Sequence, residues 1–229
     1  MSTTTETKNI QATAVNNAHS LQGWFLIILV FVAGAASLAV ELSASRLLAP
    51  YFGTSLFVWA NLIGLILLYL TVGYYVGGVL SDRHPRPAFL YTITAIAALF
   101  IALIPLIAAP VLSWSLLTFA SAPLGIFYGS LVAVILLFTI PTVLLGCVSP
   151  FAIRLRIQQV GNSGRISGML YAISTGGSIV GTFLPVLVLL PSIGVRATFL
   201  STAALLLLVS LGGLIITRRN AVEPQMVKN

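Results

Sequence analysis

The stretch from Pro87 to Ile153, PAFLYTITAIAALFIALIPLIAAPVLSWSLLTFASAPLGIFYGSLVAVILLFTIPTVLLGCVSPFAI, contains no charged residue. No surface segment of a soluble protein of this length stays uncharged. At 1.5 Å per residue a continuous helix of it would reach about 100 Å, enough to cross a hydrocarbon layer of about 30 Å two or three times. Pro105, Pro110 and Pro123 are expected to break it. That places helices at about 88–109 and 124–148, joined by an interfacial segment with Ser113, Trp114, Ser115 and Ser121. Trp is at home at that level of a bilayer.

Working outward, the same pattern fills the chain. Trp24 to Leu48 is apolar except for Glu41 and Arg46, and Ser55 to Leu80 carries no charge. A polar break, Ser81 to Arg86, precedes the uncharged stretch, and a basic loop, Arg154 to Arg165, follows it. Ile166 to Leu190 is a fifth run, and the turn Pro191 to Gly194 leads into a sixth, Ala197 to Thr217. The expectation is an all-α polytopic membrane bundle of about six helices over residues 21–217. Residues 1–20, without an apolar stretch, read as a disordered cytoplasmic tail, and 218–229 as a second.

Charge fixes the expected orientation. Lys8, Arg83, Arg86, Arg154, Arg156, Arg165, Arg218, Arg219 and Lys228 fall on one side of a six-span chain, against Arg46 and Arg196 on the other. By the positive-inside rule both termini are then cytoplasmic. A third crossing inside the uncharged stretch would separate Arg83 from Arg154 and destroy the asymmetry. The expected location is the cell (plasma or inner) membrane, with the lipid bilayer as the first partner.

Composition agrees. Of 229 residues 59% are hydrophobic and 7% charged, where a soluble domain carries about a quarter charged. The net charge of +7 does not indicate nucleic acid, because the basic residues stand singly between apolar runs. One cysteine, Cys147, excludes an intrachain disulfide. No metal-ligand constellation and no cofactor motif is present.

Four blocks then carry a resemblance: ELSASRLLAPYFGTSLFVW (Glu41 to Trp59), GYYVGGVLSDR (Gly73 to Arg83), GCVSPFAIRL (Gly146 to Leu155) and GRISGMLYAISTGGSIVGTFLP (Gly164 to Pro185). In this order they resemble the membrane region of the membrane-bound spermidine-synthase-like proteins, over about residues 24–215. In that family a multi-helix, major-facilitator-like segment precedes a soluble aminopropyltransferase domain. The resemblance implies a membrane component of a polyamine-related system, with transport or delivery of a small cationic metabolite as its activity. The alternative it implies is a membrane anchor for a separate soluble aminopropyltransferase-like enzyme. An accessory subunit of a larger membrane complex is a third reading. Four acidic residues and no glycine-rich loop after a strand leave the chain without the catalytic half, so no aminopropyltransferase activity of its own is expected.

Candidate site residues follow from cost and spacing. A carboxylate within a span costs several kcal/mol and usually faces a bundle interior or cavity. Glu41 lies roughly 10 Å below the outer end of the first helix, and Asn61 reaches a similar depth on the second. Arg46 is five residues on, about 140° around the helix. Glu41, Arg46 and Asn61 make a cation site or proton relay, or else a structural pair between the first two helices. Tyr74, Tyr171, Ser174 and Thr175 add hydroxyls for a ligand, unless they bond backbone carbonyls instead. Gly78 to Arg86 resembles the loop after the second helix of major-facilitator transporters, with Pro85 in place of the second glycine; Asp82, Arg83 and Arg86 would act there as charge latches. The plain reading of that segment is a topogenic basic loop. Arg154, Arg156 and Arg165 form a docking surface for a soluble partner or for anionic lipid. Gly73/Gly77 and Gly177/Gly181 have the GxxxG spacing of close helix packing, with Ser174 to Gly177 as a hinge in the alternative and Pro185 as a kink. Six helices are half of a twelve-helix transporter, so transport would require a homodimer.

Overall fold

The computed structural model describes the backbone of residues 2–157 and 163–226, and the side chains of 23–157 and 163–219. Most side chains of the two expected tails, and residues 158–162 of the basic loop, lie outside these. The described chain is helical, with no strand among the described residues: α1 (Ser2–Phe52), α2 (Leu56–Arg83), α3 (Pro87–Thr118), α4 (Gly125–Gly146), α5 (Val148–Arg156), α6 (Ser163–Leu184), a π-helical turn (Pro185–Leu189) and α7 (Leu190–Met226).

Five helical stretches are long and apolar enough to cross a membrane: Gly23–Phe52, Leu56–Arg83, Pro87–Thr118, Gly125–Arg156 and Ser163–Arg219. The chain is a multi-pass membrane protein. The last stretch, 57 residues, would be about 85 Å if straight, too long for one crossing. It reverses at Gly194, whose φ of 77° and ψ of 173° are non-helical. Glycine, with no Cβ, adopts that positive φ at little cost. Beyond it α7 runs back along α3 and α1, where Ser210 pairs with Thr94 at 2.7 Å and Gly212 abuts Phe25, and its Phe199 faces Phe138 of α4 at 6.4 Å between ring centres. Six crossings result, and the described ends share one face.

Seven of the basic side chains, Arg83, Arg86, Arg154, Arg156, Arg165, Arg218 and Arg219, belong to the face where α1 enters, and Arg46 and Arg196 to the opposite one. The two faces are called the basic and the distal face below.

Prolines were the poorer guides. Pro105 and Pro110 do not end α3, which continues to Thr118, and Pro141 sits inside α4. A proline forfeits one backbone hydrogen bond, whereas unwinding in hydrocarbon strands several. The expected interfacial segment shrinks to Phe119–Leu124, and Trp114 and Ser115 belong to the last turns of α3, Trp114 exposed and Ser115 buried. At the far end of the fourth span the helix continues through Cys147 into α5, so Arg154 and Arg156 are helical rather than in the loop. Pro185 acts as expected: it opens the π-helical turn.

The crossings are tight where glycines lie. A Cβ on Gly177 would meet the Phe31 carbonyl, one on Gly181 the Ala35 carbonyl, and one on Gly34 the Ser174 carbonyl. So α6 runs parallel to α1 at backbone contact, and Ser178 donates to the Gly34 carbonyl at 3.2 Å. Gly73 and Gly77 do the same for α2 against Val143, Gly146 and Cys147. Ser174 to Gly177 are an unbroken part of α6. Large apolar side chains such as Leu67, Tyr75, Leu106, Leu187 and Leu208 are exposed around the outside, where lipid covers them.

Candidate functional site

Among α1 residues, Phe31, Ala35, Leu42, Ser45, Arg46 and Ala49 share one helical stripe by their three- and four-residue spacing. Toward the basic face α6 covers this stripe through Gly177 and Gly181. Gly181 is the last glycine of α6 in backbone contact with α1, and the π-helical turn begins at Pro185. The rest of the stripe is left facing a cavity of about 390 Å³. Leu42, Ser45, Arg46 and Ala49 form one wall, Val58, Trp59 and Leu62 of the first turns of α2 another, and Val186 of the π-helical turn a third. Gly53 and Thr54, in the α1–α2 turn, close its distal end. The turn is made by Gly53 at φ 73°, and Ser55 caps α2 by accepting from the Val58 N–H at 3.5 Å. A short π-helical segment at a cavity is a common feature of functional sites.

The three residues expected to cluster around Glu41 separate. Arg46 lines the cavity; Glu41 and Asn61 do not. Asn61 is buried and turned to α4, donating to the Phe127 carbonyl at 2.8 Å and to Ser130 Oγ at 2.9 Å. It therefore joins α2 to α4. Glu41 is half-buried and forms no ion pair among the described residues.

Tyr74 and Tyr171 are exposed, but they lie toward the basic face from the cavity, as do half-buried Ser174 and exposed Thr175. None of the four lines the cavity.

On the basic face the one ion pair among the described residues joins Asp82 to Arg154 Nε at 2.9 Å. It ties the end of α2 to the end of α5. Arg156 reaches the other way and donates to the Gly23 carbonyl at 3.1 Å, where α1 enters the span. Two of the three arginines expected to dock a partner thus bind the bundle's own helix ends. Arg83, Arg86 and Arg165 are exposed and form no ion pair among the described residues. Exposed His84 stacks on Phe89 at 5.5 Å. No group of three metal-ligating side chains occurs among the described residues.

No known family, curated protein or solved structure matches the chain. The likeness to spermidine-synthase-like membrane regions therefore rests on the four quoted blocks alone.

Trp59, Ser45 and Val186 were missed as site residues. For the first two a signal existed: Leu42, Ser45, Arg46 and Ala49 have the spacing of one helix face, and Trp59 follows within one turn of the next helix. Val186 had none, since it enters the wall only through the π-helical turn.

Proposed function

We propose that the chain is a membrane component that takes up or delivers a small molecule. In this reading the ligand enters the cavity between α1, α2 and the π-helical turn from the distal face. The observation that carries it is the opposition of two features: a cavity at the distal end of α1 and α2, and a charge latch, Asp82–Arg154, tying helix ends together at the basic face. Alternating access needs a site reached from one side while the other is closed, and that arrangement is what a distal-facing resting state requires. A second copy would supply the other half of a twelve-helix transporter. The system served would be of the spermidine-synthase-like kind that the quoted blocks resemble, with an aminopropyltransferase-like enzyme as the soluble partner.

The test is purified protein in sealed proteoliposomes with a substituted cysteine on either face of a Cys147→Ser background. Breaking the latch with Asp82→Asn is expected to raise labelling at positions beneath Arg154 and lower it around Trp59. Labelling that does not change on either side refutes the latch and, with it, the transport reading.

A second reading, an anchor for a soluble enzyme, is favoured by Arg83, Arg86 and Arg165, three exposed cations on one face with no ion pair among the described residues. Their substitution by glutamine would release such an enzyme from membranes while leaving labelling of the cavity unchanged.

A further inference from the structure

The charge of the cavity wall is opposite to the one Glu41 had suggested. We infer that the cavity takes an oxyanion, a phosphate or carboxylate borne on a small apolar body, rather than an amine. This rests on the reading above that the cavity is a ligand site.

Arg46 is the sole charged residue on the wall, and no carboxylate lines it. The chain has four acidic residues in all. Asp82 is held by Arg154 on the opposite face, and Glu6 and Glu223 lie in sequence outside the six spans, beyond the residues whose side chains are described. Glu41, about 7.5 Å along α1 from Arg46, is thus the nearest acid in sequence among the described residues, and no ion pair joins the two. Arg46 is exposed and has no counter-charge among the described residues, so its guanidinium near the distal end of α1 is open to water or to an anion.

The rest of the wall favours the same sign. Arg46 and Trp59 have only hydrogen-bond donors, and Ser45 and Thr54 can donate or accept. Ser45 spends its hydroxyl proton on the Leu42 carbonyl at 2.8 Å and so offers an anion nothing, which leaves Arg46, Trp59 and Thr54 as the donors. Thr54, Val58 and Trp59 surround the N-terminus of α2, a long helix whose positive dipole end opens onto the cavity. Guanidinium forks match phosphate and carboxylate geometry in two parallel bonds. Leu42, Val58, Leu62 and Val186 would then hold the apolar body.

A free metabolite and a lipid headgroup can both present that chemistry, and the experiment separates them. The full chain in a neutral detergent is melted with glycerol 3-phosphate, with phosphatidylglycerol or phosphatidylcholine in bicelles, and with putrescine. Unmasking of the buried Cys147 thiol reports unfolding. Stabilisation by glycerol 3-phosphate identifies a free anion; stabilisation by phosphatidylglycerol over phosphatidylcholine alone identifies a headgroup. In either case Arg46→Gln should weaken the apparent affinity about tenfold or more, with Arg46→Lys intermediate. Ala49→Phe, which fills the cavity and keeps the charge, should abolish binding, and it decides the matter if Arg46→Gln does not fold. Stabilisation by putrescine alone, by no probe, or equally in Arg46→Gln and Ala49→Phe overturns the anion site. An anion that binds but never crosses a proteoliposome removes the transport reading and leaves the site standing. Putrescine that crosses while no anion binds does the reverse.

Discussion

Neighbouring glycines in α2 offer a controlled measurement of what close packing contributes. A Cβ at Gly77 would lie 2.5 Å from the Cα of Cys147 and 2.8 Å from its carbonyl oxygen, whereas one at Gly78 meets nothing within 4 Å. Ordinary contact begins near 3.4 Å, so Gly77→Ala requires α2 and α4 to part by about 0.9 Å, the difference of the two distances, along their shared stripe. Overpacking of this size costs about 1–3 kcal/mol. Both substitutions gain the same helix propensity, up to about 1 kcal/mol, so their difference isolates the contact. At about 2–4 °C per kcal/mol for a chain of this size, Gly77→Ala should melt roughly 2–12 °C below Gly78→Ala. The assay is built into the protein: its single cysteine, Cys147, is buried, and a fluorogenic maleimide reacts with it only as the bundle opens. Gly77→Ala should also raise the thiol's reaction rate well below the melting temperature, because Cys147 is the residue displaced. Equal melting curves for the two variants would refute the claim that α2 and α4 meet at backbone contact.

Reporter fusions after Arg219 and at Ser121 should fall on opposite sides of the membrane, the first cytoplasmic; a shared side would remove a crossing. Asn61→Leu should lower stability by about 1–2 kcal/mol in thermal melts, since it leaves the Phe127 carbonyl and Ser130 without their donor; no change would show the pair to be incidental. Arg154→Gln should cost under about 1 kcal/mol, the Asp82 side chain being 72% and the Arg154 side chain 48% exposed, and a larger loss would make the pair structural rather than a latch. Glu41→Gln should melt at or above the parent, because the carboxylate has no counter-charge among the described residues; a clear drop would reveal a partner that holds it.

The sequence was most informative where lipid leaves the chain no choice. Backbone in hydrocarbon must be helical, so span number and charge asymmetry were readable from Trp24 to Thr217. Proline was misleading for the same reason: its propensity to end helices is calibrated in water, where a released carbonyl finds a new partner, and Pro105, Pro110 and Pro141 all sit inside helices here. Glycine spacing announced that α2 and α6 pack closely but not against what. Gly34, the residue that lets α1 approach α6, stands outside any GxxxG pair, and only the crossing shows its use.

The site was partly legible for a geometric reason. Sequence gives the depth of a residue from the span ends, and the angles between residues on one helix, but not which way the helix is turned toward its neighbours. Glu41 and Arg46 were known to be about 7.5 Å apart along the helix and about 140° apart around it, but not which of them faces a given cavity. Which one depends on where α6 stops covering α1, and that is decided by Gly181, the last glycine in backbone contact, and by Pro185, four residues on, where the helix widens into a π-helical turn. With α6 as a straight helix through residue 189, Leu184, Pro185 and Val188 would follow Gly181 on the same face, and these larger side chains would be carried toward Ser45 and Ala49. Straightening that turn with Pro185→Ala should therefore shrink the space beside Arg46, and the loss should be seen as weaker protection of a cysteine introduced at Ala49 by whichever anion the cavity binds.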